Sequence, residues 1–191
     1  MTSLKVLPLL RNATAQLHKQ LDASLPLAAA NPSIEDYSQH LLGFKHWLSD
    51  IDRFIAGSSL PAEEFRAINA NAMKLLEDDL QGMGLEVRAP ASLTANPIKL
   101  DAACCLGIEY VVKGSALGSA MLYNKASRMF PVAPMSFMQD AMMHGKDRWK
   151  QFLLKLDSHH WTESELASAQ EGAIWAFQRY ITLHEMSLQP Q

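Results

Sequence analysis

Two stretches of this sequence carry residues of the right types and spacing to do chemistry. In "LLRNATAQLHKQLD", residues 9–22, Arg11, Thr14, His18 and Asp22 recur at helical intervals beside a strip made by Leu10, Leu17 and Leu21. In "YVVKGSALGSAML", residues 110–122, Gly114 and Gly118 are four apart, as are Ser115 and Ser119. Residues four apart stack on one face of a helix, so the glycines leave a groove bare of side chains, flanked by hydroxyls.

Each feature has two readings. A histidine at the edge of an apolar strip is either a packed or half-exposed residue, or a ligand to iron, since imidazole is a common axial ligand of heme. In the second case Thr14 or a nearby backbone carbonyl is expected to orient the other ring nitrogen. Interior glycine weakens a helix by roughly 0.5–1 kcal/mol relative to alanine, so the pair needs a compensating role. Either another helix packs closely there, or a flat ligand lies against exposed backbone with Ser115 and Ser119 bonding to it or to water. Gly107, seven residues before Gly114, extends the small strip. Taken together, a histidine helix and a side-chain-poor helix can sandwich a macrocycle. Arg11, Lys19, Lys125, Arg128 and Arg179 are the candidate cations for its carboxylates. Tyr110, Phe177 and Tyr180 are candidate edge contacts.

Other chemistries lack their signatures. There is no HExxH and no ExxH helix pattern for zinc or di-iron sites, and no phosphate-binding glycine loop. "GSALG" has the wrong spacing for a nucleophile elbow. Cys104 and Cys105 are adjacent within a helical pattern, which makes a poor disulfide and favours packed thiols. The formal net charge of -3, with scattered Lys and Arg, gives no basic stripe for nucleic acid. No apolar run is long enough to cross a membrane, and no secretory signal is evident. The expectation is a cytoplasmic protein.

Helices must position these residues. The opening leucine strip predicts a first helix that Leu25-Pro26 ends. Ser33 and Asp36 have capping-box spacing for a second, buried through Tyr37, Leu41, Phe44, Leu48 and Ile51. Gly57 to Pro61 breaks the chain before a third, marked by Phe65, Ile68, Ala72 and Leu75. "LEVRAPASLTANP" reads mostly as loop with one strand-like fragment. Asn96-Pro97 predicts the start of a long helix running to about Asn124. Ser136 with Gln139, and Thr162 with Glu165, predict two further capping boxes. The 191 residues, 48% hydrophobic and 19% charged, fit one all-α multi-helix domain over 1–191.

At these residues the sequence resembles the heme oxygenase family, particularly its compact bacterial members. "LLRNATAQLHKQLD" is similar to the family's first helix, with His18 in the proximal-ligand place. "EYVVKGSALGSAML" resembles the distal-helix motif, with Gly114 and Gly118 matching its paired glycines. "WTESELASAQEGAIWAFQRY" resembles the last long helix. Ser119 stands where many members have a second adjacent glycine, Ser115 where animal members have an aspartate, and Lys113 where bacterial relatives often have an acid. The resemblance implies an all-α fold and an oxidoreductase activity: cleavage of heme by O2 and supplied electrons to biliverdin, CO and ferrous iron. It implies His18 as the metal ligand, with Gly114, Ser115, Gly118 and Ser119 as the catalytic residues of the distal surface. Arg11, Tyr110, Phe177 and Arg179 are the residues expected to bind the heme alongside His18. The implied partner is an electron donor such as a ferredoxin or an NADPH-dependent reductase. Alternatives are a non-catalytic heme-binding or heme-transfer protein of the same fold, and an all-α interaction protein without heme.

Overall fold

The leucine strip of the opening segment folds as α1 (Val6–Ser24), and a short 3-10 turn, Pro26–Ala28, leads to α2 (Ile34–Ala56). The computed structural model describes residues 6–56, 63–85 and 98–187. The expected break over 57–61 and the strand-like fragment within 86–97 lie outside the described residues. Then come α3 (Glu63–Gly82), α4 (Ala102–Met129), α5 (Ser136–Ser158) and α6 (Glu163–Ser187). The fold is all-α, and the described residues include no strand.

Local chemistry explains most of the boundaries. The first expected capping box forms: the Ser33 amide donates to the Asp36 carboxylate at 2.7 Å, and the Asp36 amide donates to Ser33 Oγ at 3.1 Å. Thr162 and Glu165 form the last, with the Thr162 amide 2.8 Å from the carboxylate. The box expected at Ser136 and Gln139 is replaced by a long-range cap. Asp79 of α3, fully buried, accepts from the amides of Ser136 at 2.8 Å and Phe137 at 2.9 Å. A carboxylate there satisfies orphan amides and sits at the positive end of the α5 dipole. α4 begins later than Asn96-Pro97 predicts: Asp101 is its N-cap and accepts from the Cys104 amide at 2.9 Å. Residues 98–100 are not helical, and Asn96-Pro97 itself lies outside the described residues.

α4 is the central element, packed on α5 and α6, while α2 joins α6 to α3. The strip expected on α2 is buried throughout, and Trp47 anchors α2 to α6 by donating from Nε1 to the Ala176 carbonyl at 2.9 Å. Where α4 crosses α6, Gly107 faces Ala169 and Gly172 faces Cys104. A Cβ on Gly107 would stand 1.9 Å from the Ala169 carbonyl oxygen, and one on Gly172 would stand 2.2 Å from that of Cys104. Both positions require glycine, because the two backbones meet there. α1 is held differently. It rests chiefly on α6, buries Val6, Leu10 and Thr14, and leaves much of its length exposed.

Candidate functional site

The exposed side of α1 borders an open cleft of about 410 Å³, lined by Arg11, Thr14, Ala15, His18, Lys19, Asp22 and, from α4, Tyr110. That volume falls in the range of small-molecule sites, roughly 300–1,000 Å³. The i, i+4 spacing of α1 brings His18 and Asp22 together, and His18 Nδ1 lies 2.9 Å from Asp22 Oδ2. A carboxylate only accepts, so Nδ1 carries the proton and the Nε2 lone pair is left for a ligand. This corrects the expected orienting group. Thr14 donates instead to the Leu10 carbonyl at 2.8 Å and is buried. The His18 ring packs at 5.8 Å from that of Phe177 on α6, while its side chain remains 62% exposed.

Across the cleft, Tyr110 stands one helical turn before Gly114. The glycine strip is not a helix-packing seam. Among the described residues, nothing lies within 4 Å of a Cβ added to Gly118, and one on Gly114 meets only the edge of Trp149, at 3.7 Å. Trp149 comes from α5. In the structure its ring lies 5.7 Å from that of Tyr110, and the two form an aromatic wall on the α5 side. Gly107, by contrast, belongs to the α4–α6 crossing and does not extend the open strip.

Several candidates are placed elsewhere. Arg179 pairs with Asp50 of α2 and lies 5.9 Å over the Trp175 ring, so it does not join Arg11 and Lys19 at the cleft. Tyr180 is buried among Phe44 and Trp47. Lys125 donates to the Ala29 and Ala28 carbonyls, and Arg128 to that of Asn124. Ser115 donates to the Val112 carbonyl at 2.7 Å and opens on a separate space of about 50 Å³ among α2, α3, α4 and α5. Ser119 is buried, 2% exposed, whereas Gly118 beside it is exposed. Neither hydroxyl is brought together with His18. Lys113 is also turned inward: with Lys155 it flanks buried Glu109, each 2.9 Å from that carboxylate.

The donor set can be tested against the group it is expected to hold. Among the described residues no three His, Cys, Asp or Glu side chains gather for an ion. A single oriented imidazole suits iron that arrives with its equatorial ligands, as in a porphyrin. Two cations at the rim, Arg11 and Lys19, suit a flat apolar group carrying carboxylates. The residues present fit heme.

No protein-family model matches the sequence, and no curated protein matches it. Among solved structures, the chain is similar to the NO- and CO-bound heme oxygenase from Neisseria meningitidis, with a TM-score of 0.66 and 20% identity. The alignment covers 96% of this chain and 92% of that one. At that identity the likeness is one of architecture, and this chain has the heme oxygenase-like fold. Among the described residues, no helix is long and apolar enough to cross a membrane.

Proposed function

We propose that this chain binds heme in the cleft between α1 and α4 and cleaves it oxidatively to biliverdin, CO and ferrous iron, using electrons from a ferredoxin or an NADPH-dependent reductase. The observation that carries the reading is His18, paired through Nδ1 with Asp22, in a cleft to which α4 contributes Tyr110, eight residues before the side-chain-free backbone at Gly118. Bound heme supplies both the iron that activates O2 and the macrocycle that is opened.

The chain's own residues do the rest. His18 binds, and Asp22 fixes its tautomer and strengthens it as a ligand. Arg11 and Lys19 attract the carboxylates at the ligand's edge. Phe177 supports the imidazole from α6, and Tyr110 limits the cleft on α4. Gly114 and Gly118 leave space for a small diatomic beside backbone, which orients the reactants by confinement.

The test is anaerobic loading with hemin, then addition of oxygen and a reductant, with the pigment identified by chromatography. The expected product is biliverdin, formed in the presence of catalase and lost in His18→Ala. A stable hemin complex that yields no biliverdin would make the chain a heme carrier. Failure to bind hemin would remove heme from the account.

A further inference from the structure

Lys125 makes an unusual contact. It lies on the same face of α4 as Gly114 and Gly118, seven residues beyond the latter. Its ammonium reaches across to the backbone between α1 and α2, donating to the carbonyls of Ala29 and of Ala28, the second at 3.4 Å. The segment it meets is already short of freedom. The amides of Ala28 and Ala29 bond back to Leu25 and Pro26 at 3.0 Å each, and Leu27 is buried at 1% exposure. The turn packs on both α2 and α4.

This contact sits where α1 is least secured. Much of α1 is exposed, and it rests chiefly on α6. Its C-terminal end, Ser24, six residues beyond His18, runs directly into the tied segment. Whatever fixes residues 25–29 against α4 therefore also fixes how far α1 stands from the glycine strip.

We infer that Lys125 is a positioning residue: by tying the α1–α2 connection to α4 it closes the far end of the cleft, sets its width, and governs how long a ligand stays. The inference rests on the proposed function for the ligand's identity, but not for the tie. A lysine on this face could alternatively pair with a carboxylate of the ligand, and the two roles separate experimentally.

The experiment compares wild type, Lys125→Met and Lys125→Arg in two measurements. The first is amide hydrogen exchange over residues 25–33 in the ligand-free chain. Lys125→Met should speed it, and Lys125→Arg, which retains donors for two carbonyls, should restore slow exchange. The second is transfer of hemin, and of hemin dimethyl ester, to apomyoglobin. Lys125→Met should release both about tenfold faster, as loss of a charged hydrogen-bond donor implies. Unchanged exchange would overturn the tie. A tenfold effect on hemin that vanishes with the ester would overturn it too, by assigning Lys125 to the ligand's carboxylate. If no variant binds hemin the proposed function fails, while the exchange measurement still decides the tie.

Discussion

At Gly107 an added methyl would meet the Ala169 carbonyl oxygen at 1.9 Å, and α6 answers with Gly172 against Cys104 at 2.2 Å. Three turns further along the same helix, an added methyl on Gly118 would meet nothing within 4 Å among the described residues. One half of α4 uses glycine to bring two backbones together, which is the compensation that interior glycine ordinarily needs. The other half uses it beside open space, so no contact among the described residues offsets its cost. In the proposed function, a ligand lying on that surface supplies the compensation. The same helix thus separates a sealed region from an open one, and the function is proposed for the open one.

The largest effects are expected on the sealed side. Gly107→Ala and Gly172→Ala each drive a methyl into backbone, and each should lower unfolding stability by about 3 kcal/mol in urea denaturation. A loss under 1 kcal/mol would mean the crossing is looser than described. From the open side, Gly118→Leu should fold normally yet weaken hemin binding roughly a hundredfold, or about 2.7 kcal/mol, in a spectral titration. Undiminished affinity would place the ligand elsewhere.

The sealed core should also fail first in acid. His40 is 2% exposed, its ring 4.9 Å from that of Phe44, and among the described residues its nitrogens have no hydrogen-bond partner. Burial, with His184 nearby, holds its pKa down to about 3 from 6.5. The unfolded chain therefore binds a proton that the native core refuses. Stability is complete above about pH 6.5 and declines as pH falls toward 3, by up to about 1.4 kcal/mol per unit. His40→Leu should flatten that decline between pH 6.5 and 5. An unaltered slope would remove His40 as its cause. The smallest effect is the mirror of the first: Gly118→Ala, with open space around it, should raise stability by about 0.5–1 kcal/mol.

How far the sequence disclosed this depends on the range of the interaction. The capping boxes at Ser33 and Thr162 span three residues and were readable. The cap of α5 comes from Asp79, 57 residues before Ser136, and no local pattern announces it. His18 and Asp22 share a face by spacing alone, but which group orients the ring depended on rotamers: Thr14 turns to its own helix. Gly107 and Gly114 looked alike because sequence shows a missing side chain without showing what occupies its place. Arg179 was ambiguous for a related reason, since a long cation has several acids within reach and Asp50 lies on another helix.

Whether His18 presents its imidazole to iron in the open cleft is decided by low-frequency resonance Raman of the complex loaded with hemin and reduced by dithionite to ferrous heme. Wild type should show an iron–imidazole stretching band that disappears in folded His18→Ala and returns when free imidazole is added. The same band persisting in His18→Ala without added imidazole would contradict this role of His18.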